Sequence, residues 1–417
     1  MLSLLDLAAL LLTLSAGFGW INHRFLRLPS SIGLLGMGLV ASLLMVGLDL
    51  AFPQEPLHRE LTEALRAIDF EKTVMDGLLA FLLFAGALHL DIGALRGRAL
   101  PVAVAASLGT VVSTGVIGGG LWLASGLAGH PLPLAWALVF GALISPTDPV
   151  AVMGTLKAVS VPQALETDMS GESLFNDGVG VVIFALLLAV AQGEHAGPGD
   201  IGLLFLREAV GGAVLGTLTG FLAYRMTRRV DEHALEVMLS LALATGTYAL
   251  AQRLEASGPI AVVAAGLLLG NRGARLGMSE RTRRYVFGFW EVLDYGLNAV
   301  LFLLIGLEVL VMRFDAGFLG IAALAVVLAL TGRFVAVGGA VLGLHRLVDF
   351  SPGTVAVLTW GGLRGGISIA LALSLPEVAE KPALLAATYA VAVFSVLVQG
   401  GSLGWVARRW VSPRAAT

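Results

Sequence analysis

Ser170-Gly-Glu-Ser-Leu-Phe-Asn-Asp-Gly-Val-Gly-Val-Val-Ile-Phe184 sets two carboxylates, an amide and hydroxyls at the mouth of an apolar run that ends near Val190. In so hydrophobic a chain, that run reads as a membrane span, which needs about 20 mostly apolar residues. Polar side chains inside hydrocarbon cost about 3 kcal/mol or more each unless they are paired or hydrated. They are therefore rare, and they mark ion or proton paths. The stretch decides the class of fold and shows where function is to be sought.

Composition agrees. The 417 residues are 57% apolar and 13% charged, against roughly 45–50% and about 25% in soluble domains. The 53 glycines suit close helix packing and interrupted helices. A net charge of −3 gives no reason to expect a nucleic-acid partner. The chain has no cysteine, which removes disulfides, thiolate chemistry and thiol metal sites.

Thirteen candidate spans lie near 2–21, 31–52, 73–90, 100–127, 132–154, 171–192, 201–224, 234–252, 257–270, 286–312, 316–344, 353–375 and 382–405. The expected class is an all-α polytopic membrane protein. The loops after the odd-numbered spans, together with the C-terminal tail, hold 17 of the 26 basic residues, and the opposite loops hold six. Basic loops stay in the cytoplasm, so the N-terminus is expected outside and the C-terminus inside. Trp20, Trp290, Trp360, Trp405 and Trp410 fall near span ends, as an aromatic belt would. No basic leader precedes the first span, so no cleaved signal peptide is expected. The longest hydrophilic stretch, 53–72, reads as a loop, and no soluble domain is expected.

The first six and last six spans, about 1–192 and 234–405, form two sets joined by the span at 201–224. An odd number of connecting spans gives the sets opposite topology, an arrangement common in secondary transporters. Their breaks correspond: Ser145-Pro-Thr-Asp-Pro149 interrupts span 5 and Gly361-Gly-Leu-Arg-Gly-Gly366 interrupts span 12. Pro149 removes a backbone donor and clashes with the preceding turn, while paired glycines permit opening. Opened helices free carbonyls and amides that need partners, and a dehydrated cation with its water is one candidate.

Within span 6, Glu172, Ser173, Asn176 and Asp177 share one broad helix face. With Thr147 and Asp148 of the opened span 5, that face supplies hard oxygen ligands suited to an alkali cation or a proton. The alternative is that Asp148 and Asp177 cap helix ends, although two carboxylates beside the breaks exceed what capping requires. A buried Glu172 needs a cation, and Arg333 in span 11 is best placed to supply it. Such a pair reads as scaffold, because an arginine that never deprotonates cannot release a proton during a cycle. Arg364, at the span 12 break, is placed to balance helix ends and the two aspartates. Asp294, with Glu291 one turn earlier, reads as a solvated helix end, with a place on a cytoplasmic funnel as the alternative. Glu308 and Asp91 sit near span ends, where they reach water. Arg207 snorkels toward the outer interface. His89 reads as a packing residue.

The segments Ser145-Pro-Thr-Asp-Pro-Val150, Gly171-Glu-Ser-Leu-Phe-Asn-Asp-Gly178 and Trp360-Gly-Gly-Leu-Arg-Gly-Gly-Ile367 resemble, in this order and spacing, the cation:proton antiporter-1 family, the NhaP-type Na+/H+ exchangers. Phe289-Trp-Glu291 and Leu301-Phe-Leu-Leu-Ile-Gly-Leu-Glu308 add to the resemblance. It implies a dimeric, thirteen-span exchanger in the plasma (inner) membrane of a prokaryote, with a six-helix core moving against a dimerisation domain. It also implies that Asp177 is the principal cation and proton carboxylate, and that Na+ is bound at Asp148, Ser173 and Asp177 with a Thr147 oxygen. Asn176 is then a stabiliser of the core, and Glu172 with Arg333 a structural ion pair. Asn176 before Asp177 is the pattern associated with electroneutral exchange. One position departs: this chain has Ala85 in Phe84-Ala-Gly86, where many relatives carry an acid.

The expected function is secondary active exchange, in which Na+ and H+ compete for Asp177. K+/H+ exchange is the nearest alternative, with Li+ also a candidate ion, because oxygen ligands alone do not fix ionic size. A cation channel is a further alternative, although channels are generally built around a continuous selectivity path. No enzyme and no catalytic residue is expected, since there is no His-Glu-x-x-His and Ser173 has no evident base. No cofactor is expected beyond the transported ions.

Overall fold

The computed structural model describes residues 4–51, 70, 73–127, 131–148, 152–153, 156, 159, 161–193, 198–308, 310 and 316–411. Pro149 and almost all of the 53–72 stretch lie outside the described residues. In chain order the principal helices are α1 Leu4–Ile21, α2 Ser30–Ala51, α3 Leu79–His89 and α4 Ala99–Leu127. Then come α5 Leu134–Ile144, α6 Gln163–Ala191, α7 Pro198–Thr227, α8 His233–Arg253 and α9 Gly258–Leu268. The remainder are α10 Glu280–Glu308, α11 Leu319–Leu344, α12 Thr354–Trp360, α13 Gly366–Leu373 and α14 Lys381–Trp410. The described residues contain no strand, and helices follow the candidate spans in order. Seven of them are long and apolar enough to cross a membrane unaided, by length and composition. The protein is a multi-pass, all-helical membrane protein.

Some boundaries differ from the sequence reading. Helix α6 begins at Gln163, two turns before the expected start, even though Glu166 and Asp168 fall in the added segment. Arg98 donates through Nε to Asp168 Oδ1 (2.7 Å) and through Nη2 to Oδ2, neutralising the buried acid. Helix α10 likewise starts at Glu280, where Ser279 Oγ accepts from the Thr282 amide (3.3 Å). The short span near 257–270 is a separate helix. Glu255 turns the chain with φ 53°, and Ser257 and Pro259 open α9. Trp290 belongs to no interfacial belt: it is 0% exposed and its Nε1 donates to Ser240 Oγ (2.9 Å). Trp20, Trp405 and Trp410 are exposed.

The helices sort into two packed groups. Helices α4, α5, α6, α11, α12, α13 and α14 pack mainly on one another, and α1, α2, α3, α7, α8, α9 and α10 form the other group. Within the second, Gly212, Gly216 and Gly220 of α7 let the α9 backbone approach so closely that an added Cβ at Gly216 would collide with Ala261. Small residues spaced four apart serve this purpose where apolar association offers no drive between helices already in lipid.

Candidate functional site

Two unwound segments cross in the first group. Helix α5 stops at Ile144, and Ser145–Asp148 run on without helix, because Pro146 has no N–H to continue the ladder. Residues 361–365 separate α12 from α13. The segments bond directly, with the Asp148 amide donating to the Leu363 carbonyl (2.8 Å). Glycine is needed here for space. A Cβ at Gly365 would run into the Asp148 carboxylate, and one at Gly362 would meet the Arg333 side chain.

Most freed backbone groups at this crossing have protein partners. Arg364, 2% exposed, donates through Nη1 to the carbonyls of Ser145 (2.7 Å) and Pro146 (2.8 Å), capping α5. A cation was one candidate partner for freed carbonyls; these two face a guanidinium. The Arg364 amide donates to Ser395 Oγ (3.0 Å), and Gln399 Nε2 donates to the Trp360 carbonyl (2.9 Å). Both side chains come from a wide turn, Ser395–Gly400, inside α14. Such π segments recur at functional sites. The sequence reading missed Ser395 and Gln399. Their signal was two polar residues in an apolar run, just ahead of Gly400 and Gly401.

Helix α6 lies against the same crossing. Asn176 Oδ1 accepts from the Thr147 amide (3.2 Å), and its Nδ2 donates to Thr147 Oγ1 (2.9 Å). Thr147 Oγ1 is also hydrogen-bonded to Ser173 Oγ (2.9 Å). Asn176 thus pins the opened segment, and Thr147, Ser173 and Asn176 form one buried network. Removing Asn176 would orphan a buried amide and slacken Thr147, at about 1–3 kcal/mol per unsatisfied group. Asn176→Ala is therefore expected to lower the thermal midpoint of the detergent-solubilised protein; an unchanged midpoint would contradict the pinning.

On the opposite flank, Arg333 of α11 grips Glu172 with both guanidinium nitrogens, Nη1 to Oε1 and Nη2 to Oε2 (2.9 Å), while its Nε donates to the Leu358 carbonyl (3.0 Å). The side chains are 6% and 2% exposed. Glu172 is thereby turned away from Asp177, as i and i+5 positions on one helix allow.

Asp177 and Asp148 line a cavity of about 550 Å³ between the two helix groups. One wall carries Thr147, Asp148, Ser170, Asp177 and Gly365–Ser368; the other carries Ala85, Asp91, Glu291, Asp294 and Asn298. Asp177 is only 6% exposed, whereas Asp91 and Glu291 are exposed, so the cavity deepens toward Asp177. Its shallow end lies by Leu90 and Ile92, which bond Asn271 of the arginine-rich turn after α9. No Lys or Arg occurs among the described residues lining it. Acids focused in a low-dielectric cleft raise the local concentration of cations. Asp294 and Glu291 thus line this cavity, where the sequence favoured a solvated helix end. His89 also lines it, with Nδ1 hydrogen-bonded to the Ala85 carbonyl (2.8 Å). Arg207 lies outside, paired with Glu255 at an exposed position.

The family model described as "Sodium/hydrogen exchanger, transmembrane" matches residues 10–409. The chain belongs to this family. It is 45% identical over 414 residues to the Na(+)/H(+) antiporter NhaP of Pseudomonas aeruginosa, covering 97% of each chain. It is 37% identical over 386 residues to the Na(+)/H(+) antiporter NhaH of Halobacillus dabanensis, covering 91% of each. The fold is similar to that of the sodium proton antiporter MjNhaP1 from Methanocaldococcus jannaschii at pH 8, with a TM-score of 0.73 at 19% identity, covering 96% of this chain and 97% of that one.

Proposed function

We propose that this protein is a secondary active Na+/H+ antiporter, and that Na+ and H+ compete for Asp177 by alternating access. The observation that carries the reading is the position of Asp177: buried, beside crossed helix breaks, at the deep end of an acid-lined cavity. Membership of the exchanger family and the names of the relatives support it. Asp148, Ser173 and Thr147 complete the Na+ ligand set with Asp177. Asn176, Glu172, Arg333 and Arg364 hold the set in place.

Competition follows from charge. A carboxylate offsets the cost of stripping water from Na+ only while ionised, and a bound proton removes that charge. The seven-helix group around α5 and α6 then carries either ion past the wall formed by α3 and α10. Thirteen spans in two inverted repeats, a homodimer in the plasma (inner) membrane of a prokaryote, and an outer N-terminus complete the proposed arrangement. The basic loops support that orientation.

With Asp177 alone taking up the proton while Asp148 keeps its charge, one Na+ replaces one H+ and the exchange is electroneutral. The test is ΔpH-driven flux in proteoliposomes with Na+, Li+ and K+ compared side by side under clamped voltage. Saturable Na+ flux whose steady rate ignores the potential is expected. A rate that follows the potential would rule out one-for-one exchange, and flux of K+ alone would rule out Na+ as substrate.

A further inference from the structure

The α10 wall of the cavity carries a polar stripe. Glu291, Asp294 and Asn298 follow one another at spacings of three and four, so they stand on one helix face. Burial deepens along it: Glu291 is exposed, Asp294 half-buried and Asn298 buried. Asn298 Nδ2 donates to Asp294 Oδ1 (3.0 Å) and to the Asp294 carbonyl (2.9 Å), fixing the carboxylate. No Lys or Arg among the described residues pairs with Asp294, and it lines the same cavity as Asp148. A solvated helix end would need neither the anchoring amide nor this proximity. The decisive point is ownership: Asp294 belongs to the α1–α3 and α7–α10 group, whereas Asp148 and Asp177 belong to the other.

We propose that Asp294 recruits the cation from one side only, raising affinity at the arginine-rich face and contributing nothing at the opposite face. Here the Asp148 and Asp177 carboxylates share a cavity with Asp294. Once the α5–α6 group has moved past α10, they no longer do, and the ion leaves without that extra negative charge. The carrier thereby binds Na+ more tightly at one face than at the other, while the direction of net exchange is still set by the Na+ and H+ gradients. This rests on the exchange reading above.

The test compares everted with right-side-out membrane vesicles holding the full-length protein, titrating Na+ on the outer face of each and following Na+-driven proton movement. Asp294→Asn is expected to raise the apparent KM about tenfold at the arginine-rich face, leaving the KM at the other face and the maximal rate unchanged. Asp294→Glu should restore most of the affinity. An equal rise on both faces, no rise, or a loss of maximal rate with unchanged KM would overturn the proposal. If Asp294→Asn does not assemble, Asp294→Ser is read by the same outcomes. Failure of both to fold also overturns it, because a recruiting residue is dispensable for assembly. Wild-type vesicles without Na+-coupled proton flux would instead refute the exchange reading.

Discussion

Proteoliposomes carrying Asp177→Asn are expected to show no ΔpH-driven Na+ flux, at the level of protein-free liposomes, while the variant folds and inserts normally. The substitution keeps the size of the side chain and removes its ability to carry either a proton or a negative charge. Among the described residues Asp177 is in no ion pair: the Arg364 guanidinium is engaged by the Ser145 and Pro146 carbonyls, and Arg333 by Glu172. Neutralising it therefore breaks no salt bridge, and burying an amide where a carboxylate stood lowers rather than raises the desolvation cost. Stability should hold or improve while transport disappears. That opposition separates an ion-handling carboxylate from a structural one, which would lose both together. Exchange at the wild-type rate by Asp177→Asn would refute the site assignment.

The sequence made much of this arrangement legible. Hydropathy located the helices, because lipid requires every backbone polar group to be satisfied within a helix or by close neighbours. Pro149 and the glycine pairs pointed to both breaks, because their constraints are local, and the helix gives way at Pro146, three residues before the proline the sequence singled out. Periodicity grouped Glu172, Ser173, Asn176 and Asp177 on one broad face, of which Glu172 turns away to Arg333 of α11. What periodicity does not encode is which neighbour a polar face meets. Asp294 was visible as an acid in an apolar run, but its place opposite Asp148 depends on how α10 packs across the gap between helix groups. Ser395 and Gln399 were hidden for the same reason, and also because the wide turn that aims them at residues 360–364 leaves no proline or paired charge as a sign. The early start of α6 depended on Arg98, 70 residues away, neutralising Asp168. Trp290 read as interfacial because it sits near a span end in the sequence, whereas α8 supplies Ser240 to its indole.

Breaking the Glu172–Arg333 pair is expected to have the largest effect on stability. Both side chains are buried, and Arg333 has a further partner in the Leu358 carbonyl, so the pair ties α6, α11 and α12 together. Removing one member leaves an unpaired charge in a low-dielectric interior, which costs about 3–5 kcal/mol. Glu172→Ala or Arg333→Ala alone should therefore lower the thermal midpoint sharply or prevent recovery of folded protein. Replacing both with apolar side chains of similar volume, as in Glu172→Leu with Arg333→Met, removes the stranded charge together with the attraction, and such exchanges are often close to neutral. The double variant should accordingly be more stable than Arg333→Met or Glu172→Leu alone, a coupling that a double-mutant cycle on thermal unfolding measures directly. Transport supplies the second reading. If the pair is scaffold, the folded double variant retains ΔpH-driven flux, since Asp148, Ser173 and Asp177 are untouched. A stable double variant without flux would place Glu172 or Arg333 on the ion path, and additive losses in the cycle would mean that the two charges do not act as a pair.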